Sequence, residues 1–243
     1  MKRNFFNIQM DVIDEQEVMN RCESFFSSPK PHTIFFLNAH CFNVAQKNPD
    51  YQNALNQADM LLNDGIGLDI ASRFTPYRFK ENLNGTDLIP KILNLAAQNK
   101  KKIFLLGGEE GVSARAAEII TEQNPDVEIA GYHSGFFSEE KEKQLIEVIN
   151  NSGTHVLVIG MGVPKQELWA HENKTLLKSV KIIIAGGAVL DFISGNVKRA
   201  PLWIRKIHME WVYRLFLEPK RMWRRYLVGN LVFFWNVLKL RNI

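Results

Sequence analysis

The sequence predicts an α/β fold in which a doubly wound, mostly parallel sheet is followed by a helical C-terminal appendage. Apolar runs of strand length alternate with helix-like segments through about the first 195 residues. Runs this apolar are typical of strands buried on both faces, as in a parallel sheet covered by helices. After "SGNVKRAP" no further strand-like run occurs, and the pattern is helical to the end. These observations predict a Rossmann-like α/β domain over residues 1–195 and a basic, aromatic appendage over residues 196–243.

The predicted strands are short apolar runs that end in turn-forming residues. In chain order they are "FFNIQMDV", "HTIFFLN", "DMLLND", "KKIFLLGG", "VEIAGYHSG", "THVLVIGMG" and "VKIIIAGGA". The helices between them are marked by caps and by apolar residues at helical spacing. One spans about residues 14–27, one begins at Asn48 and Pro49, and one begins with Thr86 as its expected N-cap. Acids in the first turn favour a further helix in "SEEKEKQLIEVINNS".

Composition indicates a globular protein with one basic region. The 243 residues are 46% hydrophobic and carry a formal charge of only +4. Eleven Lys or Arg residues and two acids lie between Lys198 and the C-terminus, so the rest of the chain is slightly acidic. Two cysteines, Cys22 and Cys41, are too few for a disulfide framework or a zinc site, and we expect both in the core.

No segment of the sequence has the pattern of a signal peptide or a spanning helix. The N-terminal "MKRNFFNIQMDVID" contains no uninterrupted apolar stretch. The longest apolar stretch, "YLVGNLVFFWNVLKL", is broken by Gly and Asn and is shorter than the ~20 residues that a spanning helix needs. We therefore expect a cytoplasmic protein whose tail lies on a membrane without crossing it.

Polar and Gly-rich segments follow the predicted strands. They are "LNAH", "LNDGIG", "LLGGEEG", "IGMGVPKQE" and "AGGAVLD". In doubly wound sheets, ligands bind at the C-terminal ends of the strands. Five strand ends with such residues are more than turns require, so a large polar ligand is predicted there.

Asp64 is the sharpest candidate for chemistry. It follows an apolar strand and precedes "GIG", so its carboxylate is expected at the mouth of the sheet, where partial desolvation raises its basicity. An Asp that caps the next helix fits the same spacing. From the residues alone, both interpretations stay open.

Other segments also leave alternatives open. "LLGGEEG" is either a phosphate-binding turn or a tight strand-to-helix turn, and it lacks the GxGxxG spacing. In "GMGVPKQELWA" we expect an exposed helix start, either an ordinary one or one where Gln166 binds a sugar hydroxyl or phosphate. Lys198 and Arg199 are either a solvated linker or a phosphate clamp. Of the six His, only His40, at a strand end, stays open as a ligand, and no metal-spaced cluster of ligands occurs.

A series of segments in fixed order resembles a known family. The segments include "NAHCFNVAQKNPDYQNALNQADMLLNDGIGLDIASRF", "NGTDL", "FLLGGEEGV", "GYHSGFF", "IGMGVPKQELW" and "GNVKRAPLWIRKIHMEWVYRLFLEPKRMWRRYL". Together they resemble the WecG/TagA/CpsF glycosyltransferases, glycosyltransferase family 26, over about residues 5–227. The resemblance implies inverting transfer of a hexose-type sugar, N-acetylmannosamine-like, from a UDP-sugar without a metal or other cofactor. The implied acceptor is a sugar linked through diphosphate to a polyprenyl lipid at the inner face of the cell membrane.

The resemblance also implies roles for individual residues. Asp64 matches the proposed base, with Asn38 and Gln166 as further catalytic residues. The residues expected at the UDP-sugar are Gly107, Gly108, Gly111, Phe136, Gly162 and Asp191. The residues expected to stabilise the diphosphate are Arg214, Arg221, Arg224 and Arg225. Acceptor contacts are expected at His40 and Thr86. Two positions depart from the family pattern: Phe36 stands where Thr is frequent, and Asn82 where Arg is common.

The resemblance also suggests a function for the C-terminal appendage, whose residues are called the tail here. UDP gains negative charge as the glycosidic bond breaks, and guanidinium groups bind phosphate oxygens bidentately. The spacing of the tail arginines predicts that one helical face gathers several of them. We expect that face to close over the site while Trp203, Trp211, Trp223 and "LVFFW" engage the membrane surface. In water we expect the tail to be mobile or packed into a homo-oligomer.

Other functions remain as alternatives at this point. Within the family these are transfer of glucose or of N-acetylmannosaminuronic acid. Outside it, the basic aromatic tail also fits a nucleic-acid-binding protein, and the sheet fits a soluble NAD- or nucleotide-dependent enzyme. No nucleic-acid partner is expected, because such a function leaves the polar strand ends without a purpose.

Overall fold

The computed structural model describes residues 2–206 and 209–241, with the side chains of Lys206 and Arg221 outside the description. Two sheets are present in these residues. A two-stranded antiparallel sheet is formed by β1 (Lys2–Phe5) and β2 (Ile8–Asp11). The central sheet consists of β3 (His32–Leu37), β4 (Met60–Asn63), β5 (Ile103–Gly107), β6 (Ile129–His133), β7 (Val156–Gly160) and β8 (Ile182–Ala185).

The central sheet has the order β4-β3-β8-β7-β5-β6, and every neighbouring pair in it is parallel. The chain runs from β3 outward to β4, crosses to β5 and β6, and returns through β7 to β8 beside β3. Because all six strands point the same way, their C-terminal ends meet at one edge. The α/β class with a Rossmann-like parallel sheet, predicted from the sequence, is confirmed.

Helices cover both faces of the sheet. Those of the α/β part are α1 (Glu15–Phe25), α2 (Ala39–Ala45), α3 (Pro49–Asn56), α4 (Ile66–Ser72), α5 (Gly85–Gln98), α6 (Val112–Gln123), α7 (Glu139–Asn151), α8 (Lys165–Asn173) and α9 (Val189–Ile193). The predicted helix start at Asn48 and Pro49 is confirmed, since the Asn48 side chain caps α3 and Pro49 is its first residue. A 3₁₀ turn, Lys174–Leu176, follows α8.

Each face of the sheet has its own hydrophobic core. Successive strand residues point to opposite faces, so Leu105 packs in one core and Leu106 in the other. The long apolar runs in the sequence reflect this burial on both sides. Cys41 belongs to one core and Cys22 to the other, and the expectation that both are core residues is confirmed.

The C-terminal appendage is helical, as predicted, but it is broken into short pieces. These are α10 (Leu202–Lys206), α11 (Glu210–Leu217), α12 (Pro219–Trp223), a π-helical turn (Arg224–Val228) and α13 (Gly229–Arg241). Helix α13 packs against α2, and Phe233 and Val237 are fully buried in the core on that face. The side chain of Asn43 on α2 donates a 2.7 Å hydrogen bond to the carbonyl of Gly229. The appendage is thus anchored in the α/β part at its C-terminal end.

Two element predictions were wrong. "FFNIQMDV" is a hairpin rather than one strand, because Phe6 and Asn7 both have positive φ, 48° and 70°, and form a two-residue turn. Thr86 is not the N-cap of α5. Asn84 takes that position, its side-chain oxygen accepting a 3.0 Å hydrogen bond from the backbone N–H of Asp87, and Thr86 lies in the first turn.

Candidate active site

A cleft of about 540 Å³ lies at the C-terminal edge of the central sheet. Residues that follow all six strands line it, together with the first turn of α5 and two appendage arginines. The predicted site residues found in its lining are Asn38, His40, Asp64, Thr86, Gly108, Phe136, Gly162, Gln166, Asp191, Arg214 and Arg225. The structure therefore brings together most of the residues singled out from the sequence.

Some predicted residues lie elsewhere. Gly107 ends β5 beneath the cleft, where a Cβ would meet the carbonyl oxygen of Gly160 at 2.5 Å. Gly111 precedes α6 as its exposed N-cap. Arg224 is exposed, with its guanidinium carbon 5.3 Å from the ring centre of Trp223. Arg221 belongs to α12, and its side chain is outside the described part of the chain.

Asp64 reaches the cleft because the backbone after β4 turns sharply. Its N–H still donates to the carbonyl of Leu37 at 2.8 Å, which continues the pairing of β4 with β3. The next residue, Gly65, has φ +94°, a conformation that L side chains rarely adopt. The N–H of Gly65 donates to the side-chain oxygen of Asn82 at 2.7 Å. Gly65 is also the N-cap of α4, so Asp64 is not the helix cap that its spacing allowed.

The ends of β3 and β4 are joined by a side-chain contact. Asn38 caps α2, its oxygen accepting from the N–H of Cys41 at 3.0 Å. Its amide nitrogen donates to Oδ2 of Asp64 at 3.3 Å. A donor at the carboxylate holds its orientation and favours the charged form.

Burial is the main influence on the charge state of Asp64. The side chain is surrounded by protein except where the cleft opens, and this desolvation raises the pKa of the carboxyl above its usual value. The hydrogen bond from Asn38 and the charges of Arg225 and Arg214 act in the opposite direction, while Glu210 adds to the rise. A carboxylate with raised basicity beside cations can accept a proton from a hydroxyl group.

Gln166 and Glu167 connect the ends of β7 and β8. The oxygen of the Gln166 amide accepts from the N–H of Gly187 at 3.0 Å, and its nitrogen donates to Oε1 of Glu167 at 2.8 Å. The two side chains are 2% and 1% exposed, so the expectation of an exposed helix start was wrong for both. Helix α8 packs against β3 and β8, and both side chains are buried at its start. Burial raises the pKa of Glu167 to about 8.

Two arginines of the appendage line the cleft. Arg214 on α11 is 9% exposed, and its guanidinium carbon lies 5.2 Å from the ring centre of Phe192. Arg225 lies in the π-helical turn, 5.8 Å from the ring centre of Tyr226. Nε and Nη2 of Arg214 and Nε of Arg225 are buried, without a hydrogen-bond partner among the described residues. Unsatisfied buried N–H groups are rare, and here they are available to an anion.

The sequence spacing predicted that one helical face gathers the arginines. This was wrong for Arg214 and Arg225, which lie in different elements. Only Glu218 lies between α11 and α12, and α12 begins at Pro219, because Pro cannot continue the hydrogen bonding of the preceding helix. The chain turns back there and brings the two arginines together from different elements. The wider π-helical turn directs Arg225 to the cleft while Arg224 stays exposed.

The remaining lining residues differ in exposure. Phe136 is 73% exposed at the rim. Asp191 accepts a 2.9 Å hydrogen bond from the side chain of Asn196. Burial first, and the charge of Arg225 second, lower the pKa of His40 to about 4, so its imidazole is neutral at neutral pH.

Sequence reasoning missed several residues that shape the cleft. Asn82 was noted only as a departure from the family pattern, yet it holds the turn after Asp64. Lys165 lines the cleft and donates to the carbonyl of Gly135 at 3.0 Å. Arg199 is not among the residues that line the cleft, and it pairs with Asp87 and Glu210. The sequence pointed to Arg199 through the charge-rich "VKRAP" but not to these two partners.

Two features are absent from the part of the chain that the structure describes. Among residues 2–206 and 209–241, no group of three or more His, Cys, Asp or Glu side chains is arranged to hold a metal ion. None of the helices found in those same ranges combines the length and the apolar character that crossing a membrane requires.

Comparison with known proteins identifies the family. Residues 3–242 match the family described as "Glycosyl transferase WecG/TagA/CpsF family". The chain belongs to the WecG/TagA/CpsF family. It is 36% identical over 222 residues to the N-acetylglucosaminyldiphosphoundecaprenol N-acetyl-beta-D-mannosaminyltransferase of Bacillus spizizenii, a match that covers 90% of this chain and 85% of the relative.

Further relatives carry the same name. The Bacillus subtilis protein is 31% identical over 218 residues, covering 90% of this chain and 80% of its own. A Staphylococcus aureus protein is 27% identical over 243 residues, covering 99% of this chain and 94% of its own. The resemblance predicted from the motif series is therefore confirmed. As a WecG/TagA/CpsF member, the chain is a glycosyltransferase-family protein rather than a member of the nucleic-acid-binding or NAD-dependent classes.

Proposed function

We propose that this chain transfers an N-acetylmannosamine-type sugar from a UDP-sugar to a polyprenyl-diphosphate-linked sugar in the synthesis of a cell-surface polysaccharide. One observation carries the proposal: Asp64 and two arginines, Arg214 and Arg225, line the same cleft. A base and a cationic pair are what sugar transfer from a nucleoside diphosphate needs at its two ends. The names of the relatives support an N-acetylmannosaminyl donor group and an N-acetylglucosaminyl-diphospho-lipid acceptor.

The reaction is a single displacement. Asp64 takes the proton of the acceptor hydroxyl as its oxygen forms a bond to the anomeric carbon of the donor. The bond from that carbon to the diphosphate breaks on the opposite side, UDP leaves with the electron pair, and the configuration inverts. General-base assistance contributes about 10²–10⁴-fold.

The departing UDP gains negative charge, which Arg214 and Arg225 neutralise. Their buried N–H groups have no partner in the described residues and are already desolvated, so little reorganisation accompanies anion binding. Guanidinium groups bind phosphate oxygens at two points and thus supply the charge that divalent ions supply in other transferases. Transfer should therefore persist when divalent ions are chelated.

A membrane-facing surface completes the proposal. The appendage exposes large apolar side chains: Leu202, Trp203, Phe216, Leu217, Trp223, Leu227, Val228, Leu231, Trp235 and Leu238. Aromatic and basic residues together suit the boundary between lipid headgroups and acyl chains. We place the enzyme as a peripheral protein at the inner face of the cell membrane, where its acceptor resides.

The test is a donor and acceptor panel. UDP-linked N-acetylmannosamine, N-acetylglucosamine, glucose and N-acetylmannosaminuronic acid are each incubated with a polyprenyl-diphosphate-linked N-acetylglucosamine, with and without EDTA. We expect product only with N-acetylmannosamine, at equal rates in both conditions, with inverted anomeric configuration by NMR. Transfer of another sugar overturns the donor assignment, retention overturns the single displacement, and loss of activity in EDTA overturns the role of the arginines.

A further inference from the structure

The motif "NGTDL" supplies a contact that the proposed chemistry does not use. It begins α5, and its first-turn carboxylate, Asp87, faces the appendage. Oδ1 of Asp87 lies 2.8 Å from Nη1 of Arg199 and 3.3 Å from Nη1 of Arg205. Gly85 and Thr86, its neighbours in the chain, line the cleft. One carboxylate oxygen thus joins the rim of the site to two separate parts of the appendage.

The orientation of Asp87 is fixed by its own helix. The amide nitrogen of the Asn84 side chain donates to Oδ2 of Asp87 at 2.8 Å. The amide oxygen of Asn84 accepts from the backbone N–H of Asp87 at 3.0 Å. This reciprocal cap leaves Oδ1 for the arginines. A carboxylate held in this way binds its partners with less loss of side-chain entropy than a free one.

The contact continues from Arg199 toward the cleft. Nε of Arg199 lies 3.5 Å from Oε1 of Glu210, an ionic contact longer than an ordinary hydrogen bond. Glu210 is the first residue of α11, and Arg214 follows four residues later, so the two side chains lie on the same face of the helix. A line of charged groups therefore runs from Asp87 through Arg199 and Glu210 to the turn of α11 that carries Arg214.

We propose that Asp87 is a positioning residue that holds α10 and α11 against the α/β part and thereby places Arg214 at the cleft. The appendage has a second anchor, the buried Phe233 on α13, but that anchor lies beyond the break at Pro219. Nothing buried to a similar degree ties α10 to the α/β part in residues 202–206, where the described side chains are exposed or half-buried. Apart from Ala200 and Arg214, the described residues of this half of the appendage are exposed or half-buried, so the ionic contact to Asp87 contributes to its docking.

The expected effect is moderate, because the charged groups are partly exposed. The side chain of Asp87 is 45% exposed, and those of Arg199 and Arg205 are 22% and 24% exposed. Hydrogen bonds to charged groups are stronger than neutral ones, but solvent and salt weaken pairs this exposed. We expect loss of the Asp87 charge to raise the undocked fraction of α10 and α11 about three- to tenfold.

The experiment measures docking directly, in the full chain, by amide hydrogen exchange of residues 210–217 and by limited proteolysis of the appendage. The variants are Asp87→Asn, Arg199→Gln and their combination. Lys91→Gln is the matched control, because Lys91 lies on the same helix and its 2.7 Å ion pair with Glu15 is similarly exposed but does not touch the appendage. Urea unfolding of each variant reports whether the whole fold is affected.

We expect exchange in residues 210–217 to rise about three- to tenfold in Asp87→Asn and in Arg199→Gln, and no further in the double variant. High salt should raise exchange in the wild type and leave Asp87→Asn nearly unchanged. Exchange that stays at the wild-type rate, or that rises equally in Lys91→Gln, overturns the proposal. Effects that multiply in the double variant also overturn it, since the two residues would then act separately.

The proposal rests on the proposed function only for its consequence, the placement of Arg214. A UDP titration of the same variants distinguishes a failure of the Asp87 anchor from a failure of the proposed function. Increased exchange with weaker UDP binding supports both. Increased exchange with unchanged UDP binding keeps the anchor and contradicts the role of Arg214, whereas unchanged exchange rejects the anchor even if UDP binds as expected.

Discussion

Replacement of Asp64 by Asn tests the proposed base most simply. The change keeps the shape of the side chain and an oxygen that can accept from Asn38, 3.3 Å away in the wild type. It removes a cleft carboxylate whose pKa is raised by burial and which Asn38 holds in place by a hydrogen bond. A general base contributes about 10²–10⁴-fold, so turnover should fall by that factor, equivalent to about 3–5 kcal/mol in the activation barrier.

The free energy of unfolding of Asp64→Asn should stay the same or rise, although its turnover falls. Because the pKa of Asp64 is raised in the fold, the folded chain disfavours the ionised form, and the stability contribution falls as pH rises above the ordinary carboxyl pKa of 3.8. At neutral pH the wild type therefore carries this unfavourable term and Asp64→Asn does not. We expect the variant to unfold at the same or a higher urea concentration than the wild type.

The assay follows UDP release at saturating donor with a polyprenyl-diphosphate-linked acceptor, alongside calorimetric titration with UDP. Asp50→Asn, an exposed carboxylate at the start of α3, is the matched control and should keep wild-type turnover. Turnover of Asp64→Asn within threefold of the wild type would refute the role of this carboxylate. A loss of UDP affinity as large as the loss of turnover would instead make Asp64 a donor-binding residue.

Three further predictions concern stability. The folded chain keeps a proton on Glu167 up to about pH 8, whereas the unfolded chain loses it near pH 4.5. Between these values the free energy of unfolding should therefore fall by about 1.4 kcal/mol per pH unit from this group. Urea titrations should show this slope in the wild type and not in Glu167→Gln. The ring of Phe233 is fully buried, and its centre lies 5.2 Å from that of Phe42. Phe233→Ala should therefore lower the free energy of unfolding, measured with urea, by about 3–5 kcal/mol. Gly107→Ala places a Cβ 2.5 Å from the carbonyl oxygen of Gly160 at φ +152° and should lower the melting temperature by several degrees.

The sheet and the position of the cleft could be predicted, because both depend on patterns within short segments of the sequence. Strands buried on both faces produce uninterrupted apolar runs, so the parallel sheet could be predicted from them. The rule that ligands bind at strand ends then located Asn38, Asp64 and Gln166, and the structure brings all three into one cleft. Their roles in the reaction stay predictions.

Tertiary contacts decide the features that could not be predicted. Polar residues at a helix start are usually exposed, yet Gln166 and Glu167 are buried at the start of α8. The break in the appendage has a local signal in Pro219, whereas helical spacing does not mark the π-helical turn that distinguishes Arg225 from Arg224. The link from Arg199 to Asp87 joins residues 112 positions apart and has no local signature.

The central claim is that appendage guanidinium groups, in place of a divalent ion, neutralise the departing UDP beside Asp64. The most direct measurement is the turnover of Arg214→Gln and Arg225→Gln on the lipid-linked acceptor, in EDTA and in excess Mg²⁺. We predict a loss of about 10²-fold or more in each variant, with no rescue by Mg²⁺, and wild-type activity that is the same in both conditions. Wild-type activity that requires Mg²⁺, or variants that turn over normally, would contradict the claim.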